Sequence, residues 1–534
     1  MKIKRRKNTM SKKLLSLLLV LSMVFVLAAC GEDTTTTTKA PDTTTEGGED
    51  TTEPGGEDTT EPAGELEAYE ITYYMYSTQP SNQDAVVEEA LNAIITPKFN
   101  ATVDFIMITG GDWEEKALVP LQAGEKIDVF WTPEWMHFMS NINKNLLLPL
   151  DDPDSEYGDL INTYAAQTVE DLGAFIPANI VNGHLYTVPT NKELCVPGGL
   201  IWNQTYVEKY DIDADAVMTP EDLEPILADF AAAEPDVRPL LSAGGWSFAD
   251  KFIQGFLNNM EPISMYIGEP GESQEPVYMW EDESTRERCL TMEKWYEAGY
   301  TDPDNYLSTF SNIDVLNAGD FLVSTDFVLK GGQVKANELM AQSGNPDLKL
   351  YEVQTSASVN VTTHAGGSML GIPITSQDPA RAMMYINEMH QNEELLNTMA
   401  WGVEGTHYTL NDDGYVLPEP NNGWSDSHGG MWTLGNQFKQ LISANEDPLK
   451  YEQMAALTAE AWNHDSLGFR FQQTAVENEY AAIKNVTDTY SLSMRCGVNV
   501  TENYDTFLAE LKAAGVETVM AEVKAQWDAW KAGN

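Results

Sequence analysis

Cysteine is scarce, with four in 534 residues, at positions 30, 195, 289 and 496. Setting Cys30 aside leaves three, an odd number without a CxxC pair or metal-ligand spacing. That argues against a zinc or redox site and for small buried hydrophobes. One disulfide plus a free thiol stays open, because sequence alone cannot pair them. Positive charge is also short: 31 Lys and Arg stand against 83 Asp and Glu, a formal net charge of −52. Such a surface repels a phosphate backbone and excludes nucleic acid as a partner. No apolar run reaches the ~20 residues a membrane-spanning helix prefers. A nucleophile elbow, an HExxH pair and a Ser-His-Asp order are missing too. The histidines, at 137, 184, 364, 390, 407, 428 and 464, are scattered without metal spacing. Two carboxylates suffice for glycoside hydrolysis, so a secreted surface hydrolase acting on glycans is the alternative in the enzyme class. Chance pairs of acids are expected in so acidic a chain, however, and the expectation is no enzyme and no cofactor.

What is present begins with a leader. Lys2, Lys4, Arg5, Arg6, Lys7, Lys12 and Lys13 precede the apolar run Leu14–Ala29, the layout of a secretory signal over residues 1–29. The run ends Leu27-Ala28-Ala29-Cys30, which resembles the bacterial lipobox, where the cysteine is acylated and the chain is cut before it. Acyl chains on Cys30 would hold the protein at the outer face of the cell membrane. Residues 30–66 hold Cys30 and then a stretch dominated by Thr, Glu, Asp, Gly and Pro, with Gly47–Pro54 repeated identically at Gly55–Pro62. That composition cannot offset the entropy of folding and reads as a self-repelling tether, of a length that suits a Gram-positive surface.

From Ile71 onward strand and helix signals alternate: a strand at Ile71–Tyr76, a helix from Asp84 to Ile95, a strand at Ala101–Ile108, a helix near Trp113–Gln122, and a strand at Ile127–Trp131. This is α/β patterning with a mostly parallel sheet, in which ligands bind beyond the carboxyl ends of the strands. A second α/β stretch starts at Gly199–Trp202, followed by a helix start at Thr219-Pro220-Glu221-Asp222 and a buried strand near Asp320–Leu329. Beyond Thr375 the chain reads as helical, at Asp378–Gln391, Glu393–Met399, Tyr451–Trp462, Thr474–Tyr490 and Tyr504–Lys531.

With these pieces placed, the chain resembles the extracellular solute-binding proteins of ABC importers, family 1, the carbohydrate-type group. Ile127–Trp135 (IDVFWTPEW) matches the family's “DV…W” strand and loop, and Leu146–Asp151 (LLLPLD) its “G-x-L-x-P-L-D” segment, with Asn145 where Gly is usual. Gly183–Pro189 (GHLYTVP), Leu200–Tyr206 (LIWNQTY) and Gly366–Ile372 (GGSMLGI) resemble its hinge strand, the continuation and the return strand, with a helix at Ala382–Ile386 after it. Trp401–Tyr408, Leu434–Phe438 and Gly468–Asn485 are similar to a Gram-positive lipoprotein subgroup with a dedicated C-terminal domain, although Gln472 and Ala475 depart from its pattern. The resemblance implies a hinge-connected, two-lobe periplasmic-binding-protein-like fold (type II) with a helical C-terminal extension. It divides the chain into 67–190 with 364–400 as the N-terminal lobe, 191–363 as the C-terminal lobe, and 401–534 packed mainly on the second lobe. It also implies an ABC permease as partner, a monomer, and a ligand captured by hinge motion near Val188–Asn191 and His364–Ser368.

A sugar offers hydroxyls around C–H patches, so its site needs ring faces and amide or carboxylate groups. Tyr76 and Gln79 after the first strand, and Trp131, Glu134 and Trp135 after the third, meet that need, as do Asn191 and Glu193 at the hinge. Trp246, Asp326 and Ser368 are candidates from the second lobe and the return crossing, and Trp401, Glu404, Trp432 and Asn436 from the tail, with Trp424 and Arg470 behind them. Each has a bland alternative: a loop residue can cap its own turn, most of so many aromatics must be core, and an Arg with carboxylate partners is more often structural. A peptide ligand in the same fold stays open. Asp211, Asp213 and Asp215 begin like a calcium loop, but Ala216 stands where Gly is needed and Asp222 where Glu is, and the helix start explains the same stretch.

Overall fold

The alternating signals from Ile71 onward are realised in the computed structural model as two α/β lobes with a helical extension. It describes residues 66–533 apart from 79, 196, 243–255, 261–262, 267–274, 302–311, 326–328, 344 and 425–430. The first sheet has five strands, in the order Ala101–Thr109, Tyr69–Ser77, Val129–Trp131, Met369–Gly371, Thr187–Pro189. The first three run parallel, and Met369–Gly371 is antiparallel to both its neighbours. The second sheet is ordered Leu350–Gln354, Gly199–Asn203, Phe321–Ser324, Arg238–Leu241. The chain therefore leaves the first sheet after Pro189 and returns to it at Met369.

Local sequence explains these elements. Val87, Leu91, Ile95 and Phe99 recur every four residues, and all four are buried under the helix Asp84–Phe99. The helix passes Pro97 and outruns the expected end at Ile95, because Phe99 completes that apolar stripe before Asn100 ends it in the left-handed conformation. At the second lobe, the Thr219 hydroxyl accepts from the Asp222 N–H while the Asp222 carboxylate accepts from the Thr219 N–H, a reciprocal cap on the helix Pro220–Ala233. The calcium-like stretch resolves into ordinary turns. Asp211 is the left-handed C-cap of the helix Gln204–Tyr210, and Asp215 accepts from the Tyr351 hydroxyl at 2.8 Å. Among the described residues no group of three or more His, Cys, Asp or Glu is placed to hold a metal ion. Cys195, Cys289 and Cys496 are buried, and none of them forms a disulfide among the described residues.

Two expectations about the tail change. Trp401, Tyr408, Val416, Trp424 and Leu434 belong to the core of the first lobe, so the residues just after 400 pack there rather than on the second lobe. The long helix expected over Tyr504–Lys531 is two, Val500–Ala513 and Val516–Gly533, broken at Gly515 with φ +101°. A side chain at 515 would also meet Glu479 Cγ at 2.9 Å, so glycine is required on both counts. These helices and Glu477–Arg495 share a core with Tyr278, Met279, Trp280 and Cys289.

One strand of the second sheet carries a titration. The Glu352 carboxylate accepts from the N–H groups of Lys335 and Ala336 at the start of the helix Val334–Ser343. Burial outweighs those donors and pushes its pKa up from 4.5 to about 7. The folded protein thus keeps a proton that the unfolded chain has lost between those values, and stability falls as pH rises through the window, by up to about 1.4 kcal/mol per unit. Glu352→Gln is expected to flatten that slope. Urea unfolding at about pH 5 and about pH 8 checks it.

Candidate functional site

At the carboxyl ends of the first and third strands, five aromatic rings meet. Tyr76 stacks on Trp131 with centroids 4.6 Å apart, and Trp113 and Trp135 set their edges to Trp131 at 5.3 and 5.5 Å. Trp432, from the tail, closes the group at 6.0 Å from Trp131 and 6.2 Å from Tyr76. Exposure grades across it: Trp131 is 0% exposed and Trp113 1%, while Trp135 is 51% exposed and Tyr76 and Trp432 are half-buried. The result is a platform with an apolar floor and three rings open to solvent. Burial pushes the Tyr76 phenol above its ordinary range, so it stays a neutral donor and acceptor.

The platform is stitched to both chain crossings. Trp131 Nε1 donates to Ser368 Oγ at 3.0 Å, and Thr190 Oγ1 donates to the same oxygen at 3.1 Å. Trp135 Nε1 donates to the Gly367 carbonyl at 2.9 Å, and the Glu134 N–H to the Gly366 carbonyl at 2.8 Å. The Thr190 N–H reaches the Ser368 carbonyl at 2.9 Å, so the outgoing and returning segments lie side by side. Asn191 pairs through its backbone with the tail, accepting from the Gln437 N–H and donating to the Gly435 carbonyl, both at 2.8 Å. An ammonium also reaches this corner: Lys192, absent from the sequence-based candidates, lies with Nζ 3.7 Å from where a Cβ on Gly367 would sit.

Comparisons with known proteins follow this geometry. A family described as “Domain of unknown function (DUF3502)” matches residues 465–532. A carbohydrate ABC transporter substrate-binding protein of Streptococcus pneumoniae serotype 4 is 26% identical over 517 residues, covering 95% of this chain and 96% of that one. The chain is thus similar over nearly its whole length to a carbohydrate-type substrate-binding protein of an ABC transporter. Its fold is shared with the N-glycan transport solute-binding protein NgtS of S. pneumoniae, solved with Man1GlcNAc. The TM-score is 0.72 at 23% identity, over 86% of this chain and 99% of that one. The alginate-binding protein AlgQ2 shares it at a TM-score of 0.58 and 12% identity, over 86% and 98% of the two chains. Both are solute-binding proteins, and the likeness carries their type II fold to this chain.

The remaining candidates separate in the fold. Gln79, Trp246, Asp326 and the lipidation candidate Cys30 lie outside the described residues. Trp401 is buried in the first lobe and donates to the Leu441 carbonyl, and Trp424 is buried and donates to the Met399 carbonyl. The Asn436 side chain accepts from the Phe438 N–H and caps the turn Gln437–Lys439. Glu404 is exposed on a separate groove of about 1300 Å³ beside Lys98, Thr398 and Tyr408. That groove holds none of the five clustered rings.

Glu134 and Glu193 are engaged in ion pairs. Burial raises the Glu134 carboxyl, and Arg470, paired with it, only partly opposes that rise. For Glu193, burial would raise the carboxyl, but the charges of Lys192 and Lys330 outweigh it and hold it below its ordinary range. Lys330 continues the chain of charges to Glu338 at 2.9 Å, and Glu338 also holds Lys450 and Lys335 at 3.0 Å each. No sequence signal marks this group, because Glu338 and Lys450 lie on separate elements of the second lobe and the tail.

Proposed function

We propose that this chain is the lipid-anchored substrate-binding component of an ABC importer, capturing an oligosaccharide between its lobes and delivering it to a permease. The observation that carries the reading is the graded platform of Tyr76, Trp131, Trp135 and Trp432. Its floor is buried, and its open rings offer flat apolar faces to sugar C–H groups. Indole N–H groups tied to the returning segment at Gly367 and Ser368 support a place for the platform beside the hinge, and closure of the hinge would bring the second lobe over it. Cys30 supplies the acyl anchor at the outer face of the cell membrane, and the acidic tether holds the folded body, a monomer, away from it. NgtS was solved with Man1GlcNAc and with Man5GlcNAc, which makes mannose-containing N-glycan fragments the first ligands to test.

A ligand bound only by the native state stabilises it by mass action, about 2.7 kcal/mol at a hundredfold excess over Kd. A thermal-shift series with Man5GlcNAc, other oligosaccharides and oligopeptides is expected to show a concentration-dependent rise in Tm with an oligosaccharide, and intact sugar recovered afterwards. A rise with peptides alone, or released sugar products, overturns the reading. Replacing Cys30 by serine is expected to move the protein from the membrane fraction to the medium.

A further inference from the structure

Arg470 lies in the C-terminal segment that matches a domain of unknown function, yet its side chain leaves that domain. It sits in the irregular stretch between the turn at 465–468 and the short helix Gln473–Val476. Phe469 packs on Trp527 and Trp530, and Phe471 on Tyr480, inside the tail. The next residue is held as well: the Gln472 N–H donates to the Gln526 side chain, which donates back to the Gln472 carbonyl, both at 2.8 Å. The backbone of residue 470 is therefore bolted to the tail helices on both sides, and its guanidinium projects into the first lobe.

There the guanidinium, 3% exposed, meets three segments at once. It pairs with the Glu134 carboxylate and donates to the Ala178 carbonyl and, at 2.9 Å, to Asn179 Oδ1, lying over the Phe138 ring. Asn179, itself fully buried, donates to the Ala365 carbonyl at 3.1 Å. Gly366 completes the fit, since a Cβ there would lie 2.5 Å from Glu134 Oε2 and 3.0 Å from Arg470 Nη2. Glu134 immediately precedes Trp135, the most open ring of the platform, and both residues hydrogen-bond to the 366–367 segment that the guanidinium braces.

We infer that Arg470 is a positioning residue for ligand capture, through which the C-terminal domain holds the Glu134–Trp135 loop and its ring in the orientation that receives the sugar. The inference rests on the oligosaccharide-binding reading for its functional consequence, but its geometry can be tested without any ligand. Removing Arg470 alone leaves a buried carboxylate unpaired, so the test variant is Arg470→Met combined with Glu134→Gln, which removes both charges together. Arg470→Lys, which keeps the charge and loses the fork, serves as the conservative comparison.

Hydrogen exchange in the full-length, ligand-free protein is expected to speed up about tenfold or more in peptides covering 130–138 and 364–369, and not in the tail helices. The Tm is expected to stay within about 3 °C of the wild type. The affinity for Man5GlcNAc is expected to fall at least about tenfold in the double variant, with Arg470→Lys between it and wild type. Unchanged exchange over 130–138, or a loss of stability with the local exchange pattern and affinity retained, overturns the inference. Should the double variant fail to fold, Arg470→Lys carries the same two readouts. If the wild type binds no oligosaccharide while the exchange pattern changes as expected, the capture reading fails and the bracing role stands.

Discussion

Replacing Glu338 by alanine is expected to lower the unfolding free energy by about 3–5 kcal/mol, the cost of stranding charge in a protein interior. Glu338 is 5% exposed and is the carboxylate shared by Lys330, Lys335 and Lys450, of which Lys330 and Lys450 are themselves buried. Burial alone would raise its pKa, but the three ammonium groups outweigh it and hold the carboxyl well below its ordinary range. Lys450 would keep Glu446 at 2.9 Å, whereas Lys330 would keep no partner within ion-pair distance among the described residues. Because the folded pKa lies below the unfolded one, this contribution is fully present above about pH 4.5 and is lost as pH falls through the folded value. Urea unfolding at neutral pH and in acid checks both statements: the variant loses stability at neutral pH, and its difference from wild type narrows in acid. Glu338→Leu combined with Lys330→Met is expected to recover part of the loss, since an apolar pair tolerates the interior better than a lone ammonium.

A second large effect separates two tryptophans four residues apart. Trp131→Ala is expected to cost about 3–5 kcal/mol of stability, because a fully buried indole is removed from between Tyr76 and Trp113 and the Ser368 hydroxyl loses a donor. Trp135→Ala removes a half-exposed ring and is expected to leave Tm nearly unchanged while weakening oligosaccharide affinity by about 2 kcal/mol, roughly thirtyfold. Thermal unfolding and calorimetric titration on the same preparations check both halves. Equal losses of stability in the two variants would remove the distinction between floor and face.

The difference between those residues marks where sequence reasoning stops. Periodicity and turn chemistry placed the strands at 69–77, 101–109 and 129–131 and the Thr219 cap closely, because those signals are local. The loop after the third strand was legible for the same reason as a segment at that strand's carboxyl end. Which of its rings lies under the other depends on Ser368 and Gly367, more than 230 residues away, and no local pattern encodes that. Arg470 and Glu134 were each legible as charged candidates, but not as partners of one another. The helix break at Gly515 was present in the sequence as a single glycine, and helical periodicity on both sides masked it. Trp401, Trp424 and Leu434 fill the core of the first lobe, a placement that composition alone cannot assign.

Calorimetric titration of Man5GlcNAc into the wild type and into Trp135→Ala bears most directly on the ring platform as the place of capture. One intact oligosaccharide bound per wild-type chain, with affinity at least about tenfold weaker in the variant, is the predicted result. Equal affinity in the two proteins would contradict it.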